Sequence, residues 1–184
     1  LWTGRALTVY DEVTGHGLLR RLLIRASRAH RAIMVTVVVN GTELPYFDEL
    51  IQAWEEILQF TDWSLHSVYL NEHTKQNNRV SGPVWKHIYG EERLIETLAG
   101  LSFEVQPASF FQVNPVIAEQ LFLRIAELAG ELQASTILDL YCGGGTLGLV
   151  ALRHLSDARL RGIEIVPQAV EDAKVNAKRN GLSE

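Results

Sequence analysis

The stretch from Ile137 to Leu152, ILDLYCGGGTLGLVAL, constrains the fold of this chain more than any other feature. An apolar run stops at three consecutive glycines and then becomes apolar again, which is typical of a strand, a tight loop and a helix. Gly143, Gly145 and Gly148 satisfy the spacing G-x-G-x-x-G within it. Because glycine lets the backbone take a positive φ and approach a ligand closely, the stretch predicts a ligand-holding loop.

The sequence after this loop continues the same alternation of elements. A strand over LRGIEI and a helix over PQAVEDAKVNAKRN follow, so the order predicts a parallel, right-handed βαβ unit. Glu164 ends the second strand, about twenty residues beyond Gly143. An acid at this place accepts hydrogen bonds from both hydroxyls of a ribose. The pattern therefore predicts a nucleoside cofactor, and it leaves a dinucleotide and S-adenosylmethionine open.

Asp139 favours the second of these cofactors. It sits inside the first strand, two residues before Tyr141, where dinucleotide-binding strands are usually apolar. A buried carboxylate is costly unless a partner stabilises it, and a pyrophosphate would repel it. A sulfonium cofactor with a protonated amino group would stabilise it, as would N–H donors of the loop. A carboxylate that only hydrogen-bonds to the loop would give the same sequence pattern. Asp139 therefore favours S-adenosylmethionine and leaves the dinucleotide open.

The residues before the loop predict a different kind of domain. LLRRLLIRAS and AIMVTVVVN predict a hairpin, and LPYFDELIQAWEEILQF predicts an amphipathic helix with Trp54 in the core. SLHSVYLNE and LIETLAGLSFEVQ predict further strands. The fold class is therefore α/β: a mixed α+β central domain precedes a partial Rossmann-like domain. We place the boundary near Gln112–Asn114, which gives domains of residues 1–112 and 113–184.

A helix is predicted over NPVIAEQLFLRIAELAG, directly after this boundary. Asn114 is a favourable N-cap, Pro115 suits the first turn, and Gly130 is a favourable stop. The predicted apolar face consists of Ile117, Leu121, Ile125 and Leu128.

The charge of the chain is unevenly distributed. The net charge is −5, which by itself argues against a nucleic-acid partner. Residues 1–40, however, hold only Asp11 and Glu12 as acids against six arginines, namely Arg5, Arg20, Arg21, Arg25, Arg28 and Arg31. A polyanion could dock on this part, and Arg20, Arg21, Arg25 and Arg28 are the candidate RNA contacts. The alternative is a solvated basic hairpin.

The remaining features of the sequence concern the cellular compartment of the protein and whether the sequence is a fragment. One cysteine excludes an internal disulfide and fits a reducing, cytoplasmic compartment. No apolar run reaches the length of a membrane span, so we expect no membrane partner. The six histidines show no metal-ligand spacing. Because the chain opens on Leu1 and stops just past an Asn-Gly helix-stop signal, we expect a fragment of a longer protein.

Three motifs in order resemble the uracil-C5 RNA methyltransferases, which form 5-methyluridine in tRNA or large-subunit rRNA. The motifs are SFFQVNP (Ser109–Pro115), LDLYCGGGT (Leu138–Thr146) and GIEIVPQAVEDAKVNAKRNG (Gly162–Gly181). Their order and spacing also match that family. The loop YCGGGT is slightly more similar to the rRNA-directed members than to the tRNA enzyme.

The resemblance implies roles for single residues. It implies that Gln112 contacts S-adenosylmethionine, that Tyr141 lines the cofactor site and that Glu164 binds the ribose. Gly143 and Gly145 would form the loop around the cofactor, with Asp139 and Thr146 as weaker candidates. One of Phe110 and Phe111, at least, is expected in the core.

The resemblance also implies a reaction and a missing part. In the family a cysteine thiolate adds to carbon 6 of uracil, which activates carbon 5 for methylation, and a base then removes the carbon 5 proton. The catalytic cysteine of the family lies downstream of the matched motifs. We therefore expect no catalytic residue here, and we interpret Cys142 as a packing residue of the loop. An iron–sulfur cluster, found in several members, would have no ligands in this chain. The two βα units would also leave an open strand edge.

Two other classes of function stay open at this point. An NAD(P)-binding oxidoreductase domain fits the glycines and Glu164, although Asp139 and the Phe-Phe-Gln motif disfavour it. A non-catalytic RNA-binding module with a degenerate methyltransferase domain fits the absence of the downstream cysteine. The oligomeric state is not predicted.

Overall fold

The computed structural model describes residues 7–155 and 157–182, which form two compact units. The first unit extends to Leu94 and the second begins at Ile95. Arg5, one of the six arginines of the basic segment, lies outside the described residues.

The first unit is a four-stranded sheet with one helix. Its strands lie in the order β1-β2-β3-β4. β1 and β2 form the predicted antiparallel hairpin, β2 and β3 are parallel, and β3 and β4 are antiparallel. The elements are β1 (Leu19–Ser27), β2 (Ala32–Val39), α1 (Phe47–Leu58), β3 (Ser64–Glu72) and β4 (Val84–Gly90).

The core of this unit lies between β2, β3 and α1. Val35, Val37 and Val39 alternate along β2, so they share one face of the sheet with Val68 and Leu70 of β3. The helix α1 adds Ile51 to this core, and Trp54 packs against it while partly exposed. The predicted amphipathic helix is thus confirmed.

The second unit contains a hairpin and a parallel strand pair with three helices. Its elements are β5 (Leu94–Leu98), β6 (Leu101–Val105), α2 (Pro115–Glu131), β7 (Thr136–Leu140), α3 (Thr146–Arg153), β8 (Arg159–Ile163) and α4 (Pro167–Arg179). β5 pairs with β6, and β7 pairs with β8 in parallel. The predicted order strand, helix, strand, helix after residue 135 is therefore confirmed.

The division between the units lies earlier in the chain than the predicted boundary near Gln112–Asn114. The hairpin of β5 and β6 packs into the core of the second unit, because Leu98 and Phe103 join Phe122 of α2 and Leu149 of α3 in one apolar cluster. Burial of these side chains stabilises the hairpin with the residues that follow it in the chain.

The buried face of α2 differs from the predicted one. Asn114 caps the helix as expected, since its side chain accepts from the Ile117 N–H. The helix continues past Gly130 to Glu131. The side chains that it buries are Ala118, Phe122 and Ala126, and three of the four predicted core positions are 41–56 % exposed, namely Ile117, Leu121 and Leu128. The small alanines allow α3 to approach closely, which explains why this face packs inward.

No helix in the described part of the chain combines the length and apolarity that crossing a membrane requires.

Candidate functional site

The glycine loop turns sharply between β7 and α3. Gly143 and Gly145 have φ of 54° and 81°, a region that glycine enters without steric cost. Tyr141 adopts φ 62° as well, which is uncommon for a large side chain and holds it 87 % exposed at the end of β7. Strained residues of this kind cluster at ligand sites.

Gly148 is required for a different reason, namely close packing. A Cβ at this position would lie 2.8 Å from the Asp139 Oδ2 and 2.8 Å from the Leu160 Cδ1. The first turn of α3 can therefore lie directly on β7 and β8 only without a side chain here.

Glu164 is tied to the loop by three backbone donors. Its Oε2 accepts from the Gly143 N–H at 3.0 Å, and its Oε1 accepts from the Ile165 and Val166 N–H groups at 2.8 and 2.9 Å. These bonds lower the pKa of the carboxyl, and the bond from the Val166 N–H has the largest effect. Glu164 is therefore an ionised acceptor at neutral pH, fixed beside the first glycine of the loop.

Asp139 braces the same loop from below. Its Oδ2 accepts from the Gly148 N–H at 3.0 Å, and burial raises the pKa of its carboxyl while this bond lowers it. The bracing role considered for this residue is thus present in the structure. Thr146, the first residue of α3, is half-buried at the end of the loop.

Cys142 packs against Gly162 of β8. A Cβ on Gly162 would lie 2.7 Å from its Sγ, so the thiol fills the space that this glycine leaves. Burial and the charges of Asp139 and Glu164 raise the pKa of the thiol. The group is therefore a neutral thiol at neutral pH, which does not suit a nucleophile.

A line of polar side chains on α4 joins the loop to the strand β6. Asp172, Asn176 and Asn180 recur every four residues and so share one face of the helix. Asn180 donates to the Ser102 carbonyl at 2.8 Å and accepts from the Ser102 N–H at 2.9 Å. Asn176, 1 % exposed, accepts from the Glu104 N–H at 2.8 Å and donates to the Gly144 carbonyl at 3.0 Å. One amide thus connects the edge of β6 to the middle of the glycine loop.

Asp172 connects this line of polar side chains to the segment that carries the Phe-Phe-Gln motif. Its carboxylate accepts from the Gln106 side chain at 2.7 Å and from the Ser109 hydroxyl at 2.9 Å. Phe111 packs on Phe103 in the core, as predicted for one of the two phenylalanines. Gln112 itself is exposed.

The structure brings together Asp139, Cys142, Gly143 and Glu164 around one loop, through the bonds given above. The sequence reading missed Asp172, Asn176 and Asn180. The signal was their spacing, because polar residues at i, i+4 and i+8 that lie on a buried face need partners.

A cavity of about 700 Å³ lies beneath the loop, between α3, β8 and α4. Its lining is mainly apolar, and it includes Asp139 and Gly145 but none of Gln112, Tyr141, Gly143 and Glu164. Two of the candidate cofactor residues therefore line this cavity, and the others lie outside its lining.

The candidate RNA contacts of the first unit have different environments. The Arg20 side chain is fully buried and donates to the carbonyls of His73, Lys75 and Asn77. Arg21 donates to the carbonyls of Arg79 and Val80. Both guanidiniums therefore hold a loop of the protein itself.

Arg25 and Arg28 lie further along the same hairpin. Arg25 is half-buried, and burial lowers the pKa of its guanidinium. Arg28 is exposed.

Comparison with known proteins relates the chain to methyltransferases. The family described as Methyltransferase domain matches residues 132–184. An uncharacterized RNA methyltransferase of Caldanaerobacter subterraneus subsp. tengcongensis is 36 % identical over 176 residues, which cover 96 % of this chain and 38 % of that protein. Another, from Oceanobacillus iheyensis, is 33 % identical over 177 residues, which cover 96 % of this chain and 37 % of that protein. The chain thus spans less than two fifths of the length of these relatives.

Solved structures agree on the fold. The Pyrococcus abyssi tRNA (uracil-54, C5)-methyltransferase in complex with S-adenosyl-L-homocysteine has a TM-score of 0.77 at 23 % identity, covering 95 % of this chain and 40 % of that one. The complex of aTrm5 with tRNALeu has a TM-score of 0.54 at 18 % identity, covering 90 % and 46 %. The chain is therefore similar over most of its length to proteins described as RNA methyltransferases, and it has an α/β fold of the Rossmann-like methyltransferase type.

Proposed function

We propose that this chain is part of an S-adenosylmethionine-dependent RNA methyltransferase that methylates carbon 5 of a uridine. The single observation that carries the proposal is the Glu164 carboxylate, held ionised beside the Gly143 N–H at the end of β8. The RNA methyltransferases that match 94–96 % of the chain support the RNA methyltransferase part of this proposal.

The residues around the loop fit an adenosine-bearing cofactor. A Cβ on Gly143 would meet nothing within 4 Å, so the space above the loop backbone is open to a ligand. Glu164 would accept hydrogen bonds from the ribose hydroxyls, since an ionised carboxylate is a strong acceptor for them. The exposed ring of Tyr141 would pack on the cofactor, with Gly143 and Gly145 beneath it.

Three further residues have weaker roles in this proposal. Gln112 would contact the cofactor from the segment that Asp172 anchors through Ser109. Asp139 braces α3 and adds negative charge below a cationic sulfonium. Thr146 would offer its hydroxyl at the start of α3.

The cofactor supplies the methyl group, and the reaction at carbon 5 needs a nucleophile that this chain does not offer. We propose that a cysteine outside these 184 residues forms the covalent bond to carbon 6 of the uracil. Cys142 does not suit that role, because burial and two carboxylates keep its thiol protonated. The chain would contribute cofactor binding, and the parent protein would contribute the chemistry.

The substrate is proposed to be a uridine in large-subunit rRNA, with tRNA as the alternative. An enzyme that acts on a base must take it out of the stack, so we expect a flipped uridine. The first unit, within residues 1–112, would face the RNA, and Arg25 and Arg28 are its proposed phosphate contacts.

Calorimetry on the 184-residue chain tests the cofactor half of the proposal. We expect S-adenosylhomocysteine to bind and NADH to give no heat under the same conditions. Glu164→Gln should weaken binding of S-adenosylhomocysteine about tenfold, because a neutral amide is a poorer acceptor for two hydroxyls. Binding of NADH in preference would instead favour an oxidoreductase.

Methyl transfer tests the second half. The full-length protein, mixed with S-adenosylmethionine labelled in its methyl group, should place label on uridine carbon 5 of rRNA or tRNA. Separate reactions with the two RNAs decide between them. Label on another base, or no label with either RNA, would contradict the uridine proposal and leave the cofactor half standing.

A further inference from the structure

The loop between β3 and β4 is held in place through its main-chain oxygens, which accept hydrogen bonds from two arginine side chains. We call residues His73 to Val80 the strap. The Arg20 guanidinium donates to the carbonyls of His73 at 2.7 Å, Lys75 at 2.9 Å and Asn77 at 3.3 Å. Arg21 continues the series with the carbonyls of Arg79 and Val80. Two neighbouring arginines thus occupy five carbonyl groups of one short loop.

Arg20 is built into the protein and does not face solvent. Its side chain is 0 % exposed and its guanidinium lies over the Tyr10 ring, 4.1 Å from the centroid. The planar fork of arginine suits such a fixed set of acceptors, which a lysine could not reproduce. Glu12 pairs with both Arg20 and Arg21, at 3.8 and 3.4 Å.

The strap also has internal hydrogen bonds that fix its shape. His73, 2 % exposed, shares a hydrogen bond of 3.0 Å with the Asn77 side-chain oxygen, which also accepts from the Arg79 N–H at 3.0 Å. A loop held in this way loses little conformational entropy when a ligand binds.

The outer side of the strap is polar and cationic. Thr74, Lys75, Gln76, Asn78 and Arg79 are exposed. Neither the Lys75 ammonium nor the Arg79 guanidinium has an ion-pair partner within residues 7–155 and 157–182. Elsewhere, Lys86 pairs with Glu72 and Arg124 with Glu127, so their charges are partly neutralised.

We propose that the strap is a preformed surface for the phosphates of single-stranded RNA, with Lys75 and Arg79 as the contacting residues and Arg20 as the residue that positions them. The inference rests on the proposed function, which makes RNA the partner. It assigns Arg20 and Arg21 of the basic hairpin an indirect role: they bind the carbonyls of the strap on its inner side, and the cations of the strap face the RNA.

Fluorescence anisotropy with a single-stranded oligouridine tests the contacts. Each phosphate contact contributes about 0.7 to the slope of log affinity against log salt, which corresponds to about fivefold in affinity at 0.1 M salt. We therefore expect Lys75→Ala and Arg79→Ala each to weaken binding about fivefold and to reduce the slope by about 0.7. The control Arg124→Ala removes the same charge from α2, and its slope should equal that of the unaltered chain.

Arg20→Lys tests the positioning role, because it keeps the charge and loses the three-carbonyl fork. We expect RNA affinity to fall about fivefold and the salt slope to decrease, although net charge is unchanged. Affinity for S-adenosylhomocysteine, a property of the second unit, should stay unchanged and report that the chain is folded. If Arg20→Lys does not fold, the two strap variants decide the proposal alone.

Two results would overturn the inference. One is a Lys75→Ala/Arg79→Ala double variant that binds the oligouridine within twofold of the unaltered chain and with the same slope. The other is an unaltered chain that binds S-adenosylhomocysteine but not the oligouridine, which would leave the cofactor half of the proposed function intact.

Discussion

The strap and the glycine loop are held by charged side chains of opposite sign. In the first unit, guanidinium donors bind backbone carbonyls, since Arg20 and Arg21 bind the strap. In the second unit, carboxylate acceptors bind backbone N–H groups, since Asp139 binds Gly148 and Glu164 binds Gly143. The first pattern places positive charge behind a loop and the second places negative charge behind one.

This difference matches two kinds of ligand. Positive charge behind the strap favours an anionic partner, and carboxylates behind the glycine loop favour ribose hydroxyls and a cationic sulfonium. The comparison can be tested by removing one holding group at a time, in each unit, and measuring stability and ligand binding separately.

The largest effect is expected from Arg20→Met. The change keeps most of the apolar stem and leaves three carbonyls without their donor, which costs about 3 kcal/mol or more in the free energy of unfolding. Urea denaturation should measure this loss. The control Arg28→Met alters an exposed residue of the same hairpin and should change stability by less than about 0.5 kcal/mol. Equal effects of the two variants would show that the strap is not held by Arg20.

A smaller effect is expected from Asn176→Ala in the second unit. The change leaves the Glu104 N–H and the Gly144 carbonyl without partners, which costs about 2 kcal/mol. Because Gly144 lies in the glycine loop, affinity for S-adenosylhomocysteine should fall as well, on the order of tenfold.

Asn180→Ala is the matched control for this variant. Asn180, the residue that follows α4, binds Ser102 twice, and none of its side-chain hydrogen bonds to described residues reaches the glycine loop. Its loss should lower the melting temperature and leave the affinity for S-adenosylhomocysteine within twofold. If both variants weaken the binding of S-adenosylhomocysteine equally, the polar side chains Asn176 and Asn180 affect that binding only through the stability of the unit.

The elements that local pattern determines were predictable from the sequence. The hairpin of β1 and β2, the cap at Asn114 and the strand–loop–helix around Gly143 each depend on residues close together in the chain, and the structure confirms them. The buried face of α2 was not predictable in this way. Its sequence contains two adjacent stripes, and only the partner helix decides that Phe122 packs inward and Leu121 does not.

Long-range contacts account for the rest of what sequence reasoning missed. In the sequence Arg20 resembles any other arginine of a basic hairpin, and the carbonyls that it binds lie more than fifty residues later in the chain. The same holds for Asn176, whose partner Glu104 belongs to the strand β6. Polar side chains that hold backbone are invisible to hydropathy patterns, because such patterns assign every charged residue to the surface.

The dependence of stability on pH in the acid range tests the role of Glu164 in this comparison. Hydrogen bonds place the folded pKa of Glu164 below its ordinary value of 4.5. Its contribution to stability is therefore present above pH 4.5 and is lost as the pH falls through the folded value. We expect Glu164→Gln to lose stability less steeply below pH 4.5 than the unaltered chain does, as chemical denaturation at several pH values would measure.

Asp139→Asn should change the pH dependence of stability in the opposite direction to Glu164→Gln. Burial raises the pKa of the Asp139 carboxyl, so the folded state binds this proton more tightly than the unfolded state. Its ionisation therefore costs stability as the pH rises through the ordinary value towards the folded one, and the amide should remove that cost. We therefore expect the stability of Asp139→Asn to fall more steeply in acid than that of the unaltered chain, and a shallower fall would contradict the assigned direction.

The smallest effect is expected from Cys142→Ala. The thiol packs under Gly162 and makes no short hydrogen bond, so its loss should cost about 1 kcal/mol or less. Since its raised pKa keeps it protonated, alkylation by iodoacetamide at pH 7.5 should be slower than alkylation of free cysteine. Methyl transfer by the full-length protein should persist in the alanine variant, because the proposed nucleophile lies elsewhere. An alanine variant that binds S-adenosylmethionine normally yet transfers no methyl group would instead make Cys142 the nucleophile, and the glycine loop would then carry chemistry as well as the cofactor.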